Sequence, residues 1–488
     1  MAKTVELSTW TAQQGADFLA QRLGDATHRA DAQALAQALG GLPLALEQAA
    51  SYIDTAGGTV AQYLGLWQTE AAELLNRNSA STGYENPVGA TLSLAFKHLS
   101  PAPQQLLRLC AFAAPEPLPE RFFTEGNEWL PIELRAAAVK PMAWNDVAGE
   151  LRRYALAQRD AIPSLEREWL AGGQSPEGTP TELALTLHRL TQQVVRDQLA
   201  EPEPDEAVLL SLLQDACPRD AGDPSQWPRL AALLPHAVWV NDTDDPGSRV
   251  ATDEPEQVLA RTFLLDRAAM YLQYGLALYP QARGLFEQAL AVRRRVLGEE
   301  HPATLTSMNN LALTLSAQGD LAGARSLQEQ VLAVSRRVLG EEHPDTLGSM
   351  NNLANTLRAQ GDLAGARSLH EQALAVRRRV LGEEHPDTLT SMNNLAESLR
   401  AQGDLAGARS LGEQALAVRR RVLGEEHSDT LTSMNNLAVS LMHLGEHDDA
   451  IELMSQAARG RAATLGAEHP DAQSSAESLA NMQQSAGR

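Results

Sequence analysis

Glu383-Glu384-His385-Pro386-Asp387-Thr388-Leu389-Thr390-Ser391-Met392-Asn393-Asn394-Leu395-Ala396 is a run this chain repeats. Glu-Glu-His-Pro stands at Glu299–Pro302, Glu341–Pro344 and Glu383–Pro386. It returns with Ser428 in place of proline and closes as Ala-Glu-His-Pro at Ala467–Pro470. The histidines His301, His343, His385, His427 and His469 are spaced by 42 residues. The unit 343–384 and the unit 385–426 match at 38 of 42 positions. Self-similarity at such a period is the mark of a solenoid or an array.

Each unit reads as two helices. Leu389, Met392, Leu395, Ala396 and Leu399 fall at helical spacing and form one apolar face. Gln402-Gly403-Asp404 breaks the helix, with Gly403 as its C-terminal glycine. A second helix follows, with an apolar set running from Leu405 through Ala408, Leu411, Ala415 and Val418 to Val422 and Leu423. Gly424 ends it and the next histidine starts the following helix. Ala396, Ala408 and Ala415 are small where helices must approach closely.

This Leu-Ala … Gly-Asp … Ala … Ala pattern resembles the tetratricopeptide repeat. The longer second helix and the Leu-Gly-Glu-Glu-His-Pro connection resemble the kinesin-light-chain type in particular. The resemblance runs from about Arg261 to the C-terminus. It implies a right-handed α-solenoid whose concave groove binds a peptide or a partner protein.

Within the first helix of each unit the core positions hold constant while others vary. Leu313, Asn355, Glu397 and Val439 differ in every unit, and three residues on stand Ser316, Arg358, Arg400 and Met442. Thr306, Gly348, Thr390 and Thr432 form a third row, and Asn309, Asn351, Asn393 and Asn435 a constant one. Spacings of three and four residues put all four rows on one helical stripe. By the resemblance, that stripe lines the groove. The asparagines are expected to bond a peptide backbone, and Asn355, Glu397, Arg358, Arg400 and Thr390 to read its side chains.

The N-terminal half carries a second resemblance. Gly41-Leu42-Pro43-Leu44-Ala45-Leu46 runs into a helix, with proline at its first turn, where a missing N–H leaves nothing unpaired. Further on, helices over Val88–Leu99, Pro103–Ala113 and Asn145–Tyr154 precede two expected strands, Ile162–Trp169 and Glu182–Leu187, around a Gly-rich turn. The second strand leads into Leu187-His188-Arg189 and a helix over Thr191–Leu199. These segments resemble the GLPL and Met-His-Asp signatures of the NB-ARC module and its winged helix, the nucleotide switch of STAND ATPases. The resemblance implies that Gly41, Leu42, Pro43, Leu44 and His188 lie near a nucleotide. Leu187 and Arg189 depart from the Met-His-Asp pattern.

A P-loop needs Gly-Lys-Ser/Thr to hold phosphates and Mg²⁺. Lysine occurs only at Lys3, Lys97 and Lys140, preceded by Ala, Phe and Val. No enzyme activity is therefore expected of this chain, and no cofactor. ADP or ATP would bind only together with an upstream nucleotide-binding domain, and self-association would run through the STAND-like half.

The expected organisation is an NB-ARC-like helical segment over 1–80, a winged-helix-like domain over 85–200, an acidic helical bridge over 201–257 and the repeat array over 258–488. The whole is mainly α. Net charge is −22. The bridge carries three Arg against thirteen acidic residues, while the repeat 385–426 is near neutral. That balance disfavours a nucleic-acid partner. No apolar run nears the 18 residues or so of a membrane span. Two cysteines, Cys110 and Cys217, make no disulfide framework, so a cytoplasmic location is expected. Abundant Arg and Ala with scarce Lys point to a GC-rich, bacterial genome.

The five histidines are poor metal ligands. Zinc needs ligands converging at roughly 2.0–2.1 Å, whereas adjacent helix layers lie about 8–10 Å apart. They are read as helix starts. The runs Arg293–Arg295, Arg377–Arg379 and Arg419–Arg421 are read as cations completing helix C-termini, with glutamates just beyond.

Overall fold

A computed structural model describes residues 9–24, 28–77, 85–163, 181–199, 203–218, 221, 226–241, 254–467 and 470–487. Residues 164–169 of the first expected strand, the turn between the two expected strands, His469 and residues 242–253 of the acidic bridge lie outside them. The chain forms two compact units, residues 1–276 and 277–488. It is mainly α.

In the first unit, α1 (Ala12–Leu23) starts at a capping box: Gln14 N–H donates to Thr11 Oγ1, and Gln14 Oε1 accepts from the Thr11 backbone. α2 (Arg29–Ala38), α3 (Pro43–Ala56) and α4 (Val60–Arg77) follow. Leu19, Leu35, Leu39 and Leu46 are fully buried between them. α5 (Glu85–His98) and α6 (Pro101–Cys110) come next, near their expected positions.

Beyond α6 the sequence was less readable. The proline-rich stretch over Pro115–Pro119 contains a short strand, β1 (Leu118–Pro119), where no strand was expected. Two short helices, α7 (Arg121–Glu125) and α8 (Ile132–Ala138), were not anticipated. α9 (Pro141–Arg153) is followed by β2 (Gln158–Pro163), which begins four residues before the expected Ile162, and by β3 (Thr181–Thr186). The three strands form an antiparallel sheet in the order β1-β3-β2, with Leu118 opposite Leu185 and Gln158 opposite Thr186. Glu120, just after β1, locks the sheet to α9. Its carboxylate accepts from Trp144 Nε1 at 2.7 Å and from Arg159 Nε at 2.5 Å. α10 (Arg189–Gln198), α11 (Glu203–Ala216), α12 (Trp227–Trp239) and α13 (Pro255–Tyr274) complete the unit.

The second unit opens with α14 (Tyr279–Leu297) and then repeats one helix pair. First helices are α15 (Pro302–Ala317), α17 (Pro344–Ala359), α19 (Pro386–Ala401) and α21 (Ser428–Leu444). Second helices are α16 (Leu321–Val338), α18 (Leu363–Leu381), α20 (Leu405–Leu423) and α22 (His447–Leu465). α23 (Pro470–Ser485) closes the array. Leu389, Met392, Leu395, Ala396 and Leu399 are buried, together with Ala408 and Ala415, in one cluster per repeat. Each large side chain so buried contributes about 1.5–3 kcal/mol. Gly403 adopts φ +87°, the left-handed turn that lets the chain reverse, and Asp404 then caps α20 by accepting from Gly407 N–H at 3.0 Å. Val422 does not join the core as expected: it is half exposed. The buried position near that helix end belongs to Arg419.

Candidate functional site

The stripe forms a continuous row along the first helices. Asn352 Nδ2 donates to Asn309 Oδ1 at 2.9 Å, and Asn394 Nδ2 to Asn351 Oδ1 at 2.6 Å. Asn352 and Asn394, each the second asparagine of its Asn-Asn pair, thus reach back to the first asparagine of the preceding unit. Asn393 departs from this: it is buried and donates to Ser433 Oγ at 2.9 Å. In the variable rows, Arg358 pairs with Glu397 at 3.2 Å, and Asn436 Nδ2 donates to the same carboxylate at 3.2 Å. Asn309, Asn351, Asn435, Asn355, Glu397, Arg358 and Arg400 are all partly exposed, and Thr390 is exposed. The structure therefore brings these residues onto one surface, where they present amide, guanidinium and carboxylate groups.

The repeated histidines cap helices. Nδ1 of His301, His343, His385 and His427 each accepts, at 3.2 Å, the backbone N–H two residues on. Neutral imidazole can do this with the proton on Nε2.

The arginine runs divide their labour in a way the sequence reading missed. The middle arginine pairs with the glutamate five residues on, as Arg420 does with Glu425 at 3.0 Å. The last, where Arg421 is typical, reaches Glu384 of the preceding connection at 2.7 Å. The first, read with the others as a cation completing the helix C-terminus, turns inward. Arg419 is 3% exposed and donates to Ser433 Oγ, the Asp429 carbonyl and Thr390 Oγ1. The signal was present in the 42-residue period, which keeps a serine fourteen residues after this position in every unit.

In the first unit, Leu44 and His188, distant in sequence, line one cavity of about 790 Å³. Arg22, Arg152, Arg159 and Arg189 also face it. Arg159 is held by Glu120, and Arg22 lies 3.4 Å from Glu47. His188 caps α10, its Nδ1 accepting Leu190 N–H at 3.2 Å. Burial, then the neighbouring Arg189, holds its imidazole below the usual histidine range. Gly41, Leu42 and Pro43 do not line the cavity. Gly41 instead fixes the entry to α3. It sits at φ +64°, its carbonyl accepts Trp10 N–H at 2.8 Å, and a Cβ there would lie 1.9 Å from the Trp10 carbonyl oxygen. Of the three lysines, Lys97 is engaged with Glu70 at 2.5 Å.

Among the described residues, no helix is long and apolar enough to cross a membrane.

Comparison with known proteins gives three results. Residues 265–303, 304–345, 345–421 and 392–457 match tetratricopeptide-repeat family models. Tetratricopeptide repeat protein 19, mitochondrial, from Mus musculus is 39% identical over 75 residues, which cover 14% of this chain and 20% of that protein. The chain thus spans about a fifth of the length of that relative. Among solved structures, the nearly identical TPR-like repeats of a Podosopora anserina kinesin light chain are 33% identical, covering 42% of this chain and 96% of that one at a TM-score of 0.38. BtubC (BKLC) from P. vanneervenii is 22% identical, covering 50% and 92% at a TM-score of 0.40. Residues 265–457 of this chain are an array of tetratricopeptide repeats.

Proposed function

We propose that the chain is a non-enzymatic interaction scaffold whose repeat array takes an extended peptide segment along the row of first helices. The observation that carries this reading is the stripe itself. Constant asparagines and variable Arg358, Arg400, Glu397 and Asn355 share one face, beside a core that stays fixed. Amides supply donors and acceptors for a peptide backbone, and the charged row supplies selectivity. The Leu-Gly-Glu-Glu-His-Pro connection favours the kinesin-light-chain type of repeat. Selecting peptides from a random display library against the full chain tests the reading. Selected peptides should lose binding to an Asn351→Ala/Arg358→Ala/Arg400→Ala variant that stays folded at the assay temperature, its stability lowered by no more than about 1–2 kcal/mol. Selected peptides that bind this variant as well as the parent would overturn it.

A second reading concerns the first unit. The meeting of Leu44 and His188 at one arginine-rich cavity supports kinship with a STAND nucleotide switch, either as its regulatory remnant or as the partner of an upstream P-loop domain. The chain alone should release no phosphate from ATP. ADP titrated onto the chain joined to a P-loop domain should bind more weakly when His188 becomes Ala. Binding indifferent to that change would exclude this use of the cavity.

A further inference from the structure

The inward-turned arginine recurs at Arg293, Arg377, Arg419 and Arg461, buried at Arg293 and Arg419 and half-buried at Arg377 and Arg461, and each sits in the seam between a second helix and the next first helix. Arg419 Nη1 donates to Ser433 Oγ at 2.8 Å and to the Asp429 carbonyl at 3.0 Å, and its Nη2 donates to Thr390 Oγ1 at 3.0 Å. Arg461 makes the equivalent bonds to Ser475 and Thr432, at 2.6 and 3.1 Å. Arg377 reaches Ser391 and the Asp387 carbonyl, and Arg293 reaches Ser307 and the Ala303 carbonyl. The 42-residue period calls for one more such arginine, at position 335. The residue there is Ser335.

The acceptors that a guanidinium uses elsewhere are all present in that seam. Ser349 Oγ donates to the Asp345 carbonyl at 2.8 Å, as Ser475 does to the Asp471 carbonyl at 3.0 Å beneath Arg461. Thr306 Oγ1 donates to the Pro302 carbonyl at 3.0 Å, as Thr390 does to the Pro386 carbonyl beneath Arg419. In both pairs the hydroxyl proton is directed backward along its own helix, which leaves oxygen lone pairs for a donor entering the seam. A second substitution widens the place: the threonine of the other units is Gly348 here, and a Cβ built on it meets nothing within 4 Å. The result is a cavity of about 250 Å³ lined by Thr306, Asn309, Ser335, Asp345, Gly348 and Ser349 among others. Thr306 and Asn309 belong to the partner-facing stripe, so the cavity opens on that face. The Asp345 carboxylate stands exposed at its edge, 3.7 Å from His343 Nδ1.

We propose that this cavity receives an arginine side chain of the bound partner, whose guanidinium takes the place that the chain's own arginine fills in the other seams. The inference rests on the reading of the first-helix row as the partner-binding face. Arginine fits better than lysine. The acceptors are arranged for two guanidinium nitrogens at once, and a planar fork satisfies both where a single ammonium cannot. Asp345 supplies the matching charge.

The test uses the full chain and titration calorimetry at constant ionic strength, with methylguanidinium as probe and methylammonium as its control. Methylguanidinium should bind saturably, and methylammonium about tenfold more weakly or not at all. Ser335→Arg should abolish the signal by supplying the guanidinium internally. Thr306→Val, which keeps the shape and removes one acceptor, should weaken it. Equal binding of the two cations, or methylguanidinium binding unchanged in Ser335→Arg, would overturn the proposal. Display-selected peptides separate this from the parent reading. Peptides that bind the parent and Ser335→Arg equally would leave the groove standing and remove the arginine pocket. Methylguanidinium binding with selected peptides indifferent to the stripe would do the reverse.

Discussion

Asn394 Nδ2 donates to Asn351 Oδ1 at 2.6 Å, from the first helix of one repeat to the first helix of the repeat before it. The bond ties neighbouring units together on the face where a partner is proposed to lie. Asn351 therefore has a structural share beside the recognition role proposed for it. Asn351→Ala should lower the stability of the array by about 1 kcal/mol, the worth of one net hydrogen bond. Urea unfolding of the single variant measures this. A loss several times larger would mean that the asparagine chiefly holds the array together.

The buried arginine should matter more. Arg419→Met keeps the packed stem and removes three donated hydrogen bonds, leaving Ser433 and the Asp429 carbonyl without their guanidinium. A loss of about 2–3 kcal/mol is expected, in the range for bonds made by a charged donor. Ser335→Arg should move the other way, by about 1 kcal/mol, because its acceptors are already in place. Chemical denaturation of the two variants beside the parent checks both signs.

Two histidines set an acid limit. Burial holds His236 down to about 4, against a smaller upward pull from the Pro117 carbonyl. Burial, then the nearby Arg358, does the same for His370, also to about 4. Both folded values lie below the unfolded one, so the neutral forms stabilise the fold above about pH 6.5. That contribution is lost as pH falls through the window from about 6.5 to about 4, by up to roughly 3 kcal/mol for each residue. His370→Gln copies Gln328, which fills the equivalent place one repeat earlier. The stability of that variant should fall less steeply between pH 6.5 and pH 4. An unchanged slope would show that His370 does not carry it.

Gly41→Ala should unsettle the start of α3. The added methyl would fall 1.9 Å from the Trp10 carbonyl oxygen, at a φ of +64° that disfavours any side chain. A loss of about 2 kcal/mol or more is expected, combining left-handed strain with a forced shift of the Trp10–Gly41 hydrogen bond. Gly40→Ala shares the φ but meets no neighbour within 4 Å, so it should be milder. Comparing the two melting temperatures separates the clash from the strain.

How much was legible differs between the two halves for a physical reason. In the array, each 42-residue unit must bury the same face against its neighbours, so selection for packing wrote the pattern repeatedly. Leu389, Met392 and Leu395 could be placed in the core, His385 at a helix start and Gly403 at a turn from spacing alone. β1 could not be found that way, because two residues, one of them proline, show no alternation. Val422 and Arg419 exchanged their expected places because hydrophobicity does not reveal which side of a helix end faces a neighbour. A buried guanidinium is stable only where Ser433, Thr390 and a carbonyl converge on it, and that convergence comes from three helices at once. The same holds for the two sites. The sequence alone determined the stripe, since one helix face follows from period, and it marked Gly41–Leu44 and His188 as motifs. Only the tertiary structure decided that Leu44 and His188 share a cavity, and that Ser335 and Gly348 open another. Cavities are made by side chains far apart along the chain, and no local periodicity records which of them meet.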